Sequence, residues 1–157
     1  MIEPCLSALA VRVARLSRLS SYQLETTDSL DLTAAAVLNL SQDHLDRYRS
    51  IHEYGEAKAR IFRNAEIQVT NRDDAATLAM RTRRLSAQPT FGLTQPAASD
   101  EWGLYRSEGE IHLMHGDTAL LPFGEVPVAG LHNAANALAA CALTTSVFPD
   151  REARLVD

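Results

Sequence analysis

Lysine is almost missing from this sequence: its 15 basic residues are 14 arginines and the single Lys58. Any chemistry that needs a side-chain amine therefore falls to Lys58. A Walker-A phosphate loop, GxxxxGK[ST], is excluded, because its lysine follows glycine whereas Lys58 follows Ala57. Cysteine is nearly as scarce. Cys5 and Cys141 stand far apart with no CxxC spacing, which excludes a disulfide framework and a thiolate zinc site. Positive charge is in deficit, with 20 acidic residues and a net charge of -5, which argues against a nucleic-acid-binding surface or a polybasic membrane patch. No stretch approaches the roughly 18 apolar residues of a membrane span. The run from Met1 carries Glu3 where an export signal is positive and breaks at Arg12, so we expect no signal peptide and a cytoplasmic protein.

What is present fits one globular α/β domain. Its 157 residues are 46% hydrophobic and 22% charged, near the averages of folded domains. The first 18 residues carry Glu3 against Arg12, Arg15 and Arg18, and Val11, Leu16 and Leu19 predict a short amphipathic helix there. Thr33-Ala-Ala-Ala-Val-Leu-Asn-Leu40 reads as a buried parallel strand that leads into the polar loop Ser41–Asp46. Helical spacing follows over Ser50–Asn64, then a strand over Ala65–Asn71, a helix opened by Asp73 and Asp74, and a strand over Pro89–Leu93. Short alternating stretches at 102–106, 110–114 and 118–121, separated by Ser107-Glu-Gly109 and His115-Gly-Asp117, predict an antiparallel meander. An alanine-rich helix spans Ala134 to about Thr145. The expected fold is a partial parallel, Rossmann-like sheet with flanking helices and a small antiparallel meander.

Four constellations carry possible chemistry, each beside a plainer reading. Lys58 shares a helix face with Tyr54, Ile61 and Phe62. A buried amine there is suited to act as a base or to take up carbon dioxide as an anionic carbamate for a magnesium ion, whereas a snorkelling lysine is the plainer reading. The loop Gln42-Asp-His44-Leu-Asp46-Arg leaves the carboxyl end of a strand, where ligands collect in open α/β sheets; otherwise it is a solvated capping loop. Ser20-Ser-Tyr-Gln23-Leu-Glu-Thr-Thr27 is dense in neutral donors and acceptors suited to a diphosphate or sugar, or is a polar strand end. Asn133 reads first as a helix N-cap, and Asn136 lies on the same face, placed to pair with a nucleobase edge. His112 and His115 point to opposite faces of a strand and make no metal site.

The segments Ser20–Thr27, Asn39–Tyr48, Glu56–Phe62 and Gly130–Ala139, in this order, resemble the central domain of the Mur ligases over about residues 19–144. The Ser-Ser-Tyr-Gln-Leu-Glu version is most similar to the D-glutamate-adding members. The resemblance implies an ATP-dependent amide ligase of peptidoglycan synthesis, with UDP-N-acetylmuramoyl-L-alanine and D-glutamate as substrates and Mg2+ as cofactor. It implies that Lys58, as a carbamate, and His44 hold the metal, that Ser20 and Gln23 contact substrate, and that Asn133 and Asn136 lie near ATP. The chain also departs from the family. The phosphate loop that should precede the matching region is absent, and Arg18 stands where the family carries a magnesium-ligating glutamate. We therefore expect residues 19–145 to be an incomplete central domain, 1–18 and 146–157 to lie outside it, and the isolated chain to be inactive. Alternatives are a related Mur or folylpolyglutamate-type ligase, or a non-catalytic binding remnant. A sheet without its early strands would expose an unpaired edge and self-associate.

Overall fold

The computed structural model describes residues 8–12, 15–19, 23–24, 31–41, 48–82, 88–127 and 129–149. One eight-stranded sheet runs through them: β1 (Ala8–Arg12), β2 (Arg15–Arg18), β3 (Leu32–Val37), β4 (Ala65–Asn71), β5 (Thr90–Phe91), β6 (Glu101–Ser107), β7 (Glu110–His115) and β8 (Thr118–Pro122). Their order is β2-β1-β3-β4-β5-β6-β7-β8. The four central strands β3 to β6 are parallel, whereas β1 pairs antiparallel with both β2 and β3, and β6, β7 and β8 form the antiparallel meander. Helices with described bounds flank the sheet: α1 (Ile51–Ala59), extended by a 3-10 turn over Arg60–Phe62, α2 (Ala75–Ala79) and α3 (Leu131–Val147).

β3 explains the layering. Its residues Ala34 to Val37 are fully buried. Ala34, Ala36 and Leu38 face α3 together with Val69, Phe91, Trp102 and Leu104, and they meet Ala134, Leu138, Ala139, Ala142 and Leu143 of the helix. Ala35 and Val37 point the other way, onto Ile61 and Phe62 of the α1 extension. A strand with both faces covered needs no polar alternation, so its sequence is a continuous apolar run. Alanines on both β3 and α3 contribute to this core beside the larger Phe91, Trp102 and leucine side chains, a mixture of sizes that close packing uses.

Local chemistry sets the element ends. Ser50 caps α1 by accepting the Glu53 amide at 3.1 Å, and the Glu53 carboxylate accepts the Arg49 amide at 2.8 Å. Asp74 caps α2, accepting the Ala76 amide at 2.9 Å. Glu108 and Gly109 both take positive φ, 52° and 89°, in the two-residue hairpin that joins β6 to β7.

Three expectations are corrected. The amphipathic helix expected around Val11 and Leu16 is a hairpin, β1–β2, hydrogen-bonded along β3 from Ala8 opposite Val37 to Val11 opposite Ala34. The open ladder of a buried strand outweighs a weak helical period. The sheet ends at β2 and at β8, and β8 terminates in Pro122, which lacks an amide proton to offer. The strand expected over Pro89–Leu93 is shorter than its apolar run, Thr90–Phe91 alone, and α3 is longer than its alanine-rich stretch at both ends.

Candidate functional site at the carboxyl end of the parallel strands

β3 leaves the sheet after Val37, and the next three residues have no ladder partner. Each is held by a side chain instead. Asn71 Nδ2 donates to the Leu38 carbonyl at 3.0 Å, Lys58 Nζ donates to the Asn39 carbonyl at 2.9 Å, and the Leu40 amide donates to Asp74 Oδ2 at 2.8 Å. Asn71 and Asp74 bracket the β4–α2 turn, and Lys58 comes from the last turn of α1.

Lys58 is 1% exposed, so the snorkelling alternative is removed. Its stem lies on the buried side of α1, and its amine sits 4.4 Å from the centroid of the Tyr54 ring, one turn earlier. Tyr54 packs in turn on Tyr48, with centroids 5.0 Å apart. A carbonyl oxygen and an aromatic face both favour a cation, which is how an ammonium is tolerated away from water. The side-chain oxygen of the same asparagine, Asn39 Oδ1, is buried and has no hydrogen-bond partner among the described residues.

The turn that follows β4 is a hub. Asn71 Oδ1 accepts the Asp73 amide at 2.9 Å, Asp73 Oδ2 accepts the Leu93 amide at 2.6 Å, and the Arg72 guanidinium donates to the Trp102 and Thr94 carbonyls, each at 2.5 Å. Four residues thus tie together the ends of β3, β5 and β6. Gly103 is required beneath this lattice, since a Cβ there would collide with the Thr94 carbonyl and the Arg72 guanidinium. The sequence reading took Asp73 and Asp74 as helix openers only and missed Asn39, Asn71 and Arg72. The available signal was an Asn-Arg-Asp-Asp cluster directly after a strand, where short polar side chains bond to nearby backbone.

α3 brings the asparagines to the same pole. Its carboxyl half, at Ala142, Thr145 and Ser146, lines a cavity of about 290 Å3 with Pro89 and Asp100, which precede β5 and β6. The helix therefore runs against the parallel strands, and its first turn lies toward their carboxyl ends. Asn133 is not the N-cap; that position is Gly130, at φ 90°, where a Cβ would meet the His132 ring. Asn133 instead lies inside the first turn and reaches back to the Ala129 carbonyl at 2.7 Å, with Asn136 Nδ2 at 3.5 Å from its Oδ1. Gln23 is exposed, and Ser20 and His44 lie outside the described residues.

Among the described residues no group of three His, Cys, Asp or Glu side chains is gathered to hold a metal. The oxygens that the described residues offer in this region are the Asn39 carbonyl, which accepts from the Lys58 amine, and the unpartnered Asn39 Oδ1, both of the hard type that suits a magnesium ion. His115, in contrast, stacks on Trp102 at 4.1 Å, on the core face of the meander.

The Mur ligase middle domain model matches residues 16–144. Over 132 residues the chain is 56% identical to the UDP-N-acetylmuramoylalanine--D-glutamate ligase of Nitrosomonas eutropha, which covers 82% of this chain and 28% of that protein. The ligase of the same name from Methylobacillus flagellatus is 51% identical over 127 residues, covering 81% of this chain and 28% of its own length. The solved structure of a UDP-N-acetylmuramoyl-L-alanyl-D-glutamate--2,6-diaminopimelate ligase superposes with a TM-score of 0.66 at 28% identity, covering 88% of this chain and 30% of that one. The chain thus spans about 28% of the length of the curated relatives it matches. Sequence and fold agree, and the chain belongs to the Mur ligase family through the middle domain.

Proposed function

We propose that the chain is the nucleotide-binding middle portion of an ATP-dependent ligase that joins D-glutamate to UDP-N-acetylmuramoyl-L-alanine in peptidoglycan synthesis. The observation that carries this is the buried Lys58 amine, 2.9 Å from the carbonyl of Asn39 at the carboxyl end of the central parallel strands. Residues 19–145 carry the resemblance on which this reading rests, and residues 8–12 and 15–18 join the same sheet as the β1–β2 hairpin. The relatives' names favour the D-glutamate-adding reaction over a folylpolyglutamate-type one.

Each residue has a task in this reading. Lys58 gives up its ammonium proton, takes up carbon dioxide as the neutral amine and loses a second proton, so that a carbamate with two oxygens replaces a cationic amine; with His44 it would hold Mg2+. Ser20 and Gln23 orient the UDP-sugar through neutral hydrogen bonds, and Asn133 and Asn136 lie against ATP at the start of α3. Bound ATP supplies the phosphoryl group that activates the substrate carboxylate, and Mg2+ neutralises the charge between two anionic reactants. The protein works in the cytoplasm, in keeping with a described structure in which no helix is long and apolar enough to cross a membrane. Alone, these 157 residues do not turn over, because their single lysine is not placed to cradle the β- and γ-phosphates.

The carbamate is the part to test. With 13C-bicarbonate and Mg2+, the chain is expected to give a carbamate carbonyl resonance that Lys58→Ala removes. A resonance unchanged by that substitution rejects the assignment. Phosphate release from ATP, Mg2+ and both substrates is expected to stay at background for the isolated chain, and robust turnover would overturn the statement that it is incompetent.

A further inference from the structure

Asp74 carries more than a helix cap needs. Capping α2 takes one acceptor oxygen, and Asp74 Oδ1 supplies it to the Ala76 amide. The second oxygen, Oδ2, reaches across 34 positions of sequence to the Leu40 amide at 2.8 Å. A carboxylate accepts both amides at once, each through a charge-assisted bond, whereas serine, threonine or asparagine offers one acceptor in this geometry.

The residue fixed in this way touches the Lys58 site by two routes. Through the backbone, Leu40 follows Asn39, whose carbonyl accepts from the Lys58 amine. Through its side chain, Leu40 packs on the Tyr48, Tyr54 and Ala57 cluster, and the Tyr54 ring underlies that amine. Gly55 keeps this second route tight, since a Cβ there would stand 3.3 Å from Leu40 Cδ2.

We propose that Asp74 is a positioning residue for Lys58: by holding the Leu40 amide it fixes the exit of β3, and thereby the Asn39 carbonyl and the Tyr54 ring that set where the amine points. The inference rests on the reading of Lys58 as the reactive amine, but its geometry involves no metal.

Two measurements on the full chain test it. Amide hydrogen exchange followed by NMR reports on Leu40. Acylation by an N-hydroxysuccinimide ester, read by peptide mass mapping, reports on Lys58, the only lysine and therefore separable from the amino terminus. Asp74→Ser retains a short oxygen for the α2 cap and cannot reach Leu40. Loss of a hydrogen bond to a charged acceptor is expected to raise both rates about tenfold or more, with the helical circular dichroism unchanged. Asp74→Asn, with one acceptor for two amides, should fall between the wild type and Asp74→Ser, and it is read by the same two rates should the serine variant not fold. Unchanged exchange at Leu40 overturns the proposal. So does faster exchange with Lys58 acylation unmoved, because Asp74 would then be a cap and a strand tie only. Absence of the 13C carbamate signal in the wild type, with both rates responding as expected, rejects the carbamate reading and leaves the positioning role in place.

Discussion

At the scale of single residues, two reactive side chains are buried for opposite ends. Lys58 is surrounded by groups that favour its charge, an accepting carbonyl and an aromatic face. Cys141, on α3, lies among the apolar neighbours of the helix–sheet core, and burial pushes its thiol from 9.0 up to about 11. The sign of the consequence is fixed. The folded state disfavours the thiolate, so this contribution to stability is complete below the unfolded value of 9.0 and is lost as pH rises through the folded value of about 11. In full the shift corresponds to roughly 3 kcal/mol. Unfolding midpoints in urea measured at several alkaline pH values are expected to fall more steeply for the wild type than for Cys141→Ala, which has no thiol to ionise. Parallel slopes would contradict the assignment. The burial of Lys58 was legible in sequence from its helical neighbours Tyr54, Ile61 and Phe62. The pairing of Asp74 with Leu40 was not, because only the register of β3 against β4 brings two positions 34 apart within hydrogen-bond distance.

At the scale of elements, the strands and helices that bury an entire face were the readable ones. β4 coincides with its sequence pattern over Ala65–Asn71, and the meander follows its alternation and its turn residues. β5 shrank to two residues because Leu93 is drawn off the ladder by the Arg72–Asp73 turn, whose carboxylate takes the Leu93 amide, while the Gly92 amide still donates to the Trp102 carbonyl. α3 outgrew its alanines because Leu131 starts the helix directly after the positive-φ Gly130. The helix is held by packing more than by propensity. Leu138, fully buried at its centre, faces β3 across Ala34 and Ala36, whose short side chains have little freedom to close a gap. Leu138→Ala is therefore expected to leave a cavity and to destabilise the chain by about 2–5 kcal/mol, toward the upper end of that range. Chemical denaturation checks this, and a loss below about 1 kcal/mol would mean that the helix settles onto the sheet.

At the scale of the whole molecule, the question is what closes the sheet beside β3. The family resemblance led to an expected unpaired edge where early strands are missing, and in the structure β3 is paired on that side by the β1–β2 hairpin, contributed by residues that lie mostly outside the 16–144 match. Nothing in the pattern of residues 8–18 announces a hairpin, because the reason for it lies in β3: a strand buried on both faces, without charge or proline, is a strong template for any extended backbone. The hairpin meets that demand within the chain. Its removal should pass the demand to other copies. A chain lacking residues 1–18 is expected to exchange the β3 amides faster and to self-associate, its apparent mass by light scattering rising with concentration, while the complete chain changes less over the same range. The two edges that remain in the complete chain are not equivalent to β3, since β8 ends in Pro122 and carries exposed residues at Thr118 and Ala119. A truncated chain that stays monomeric, with β3 as protected as before, would show that β1 adds nothing the parallel strands and α3 do not already provide.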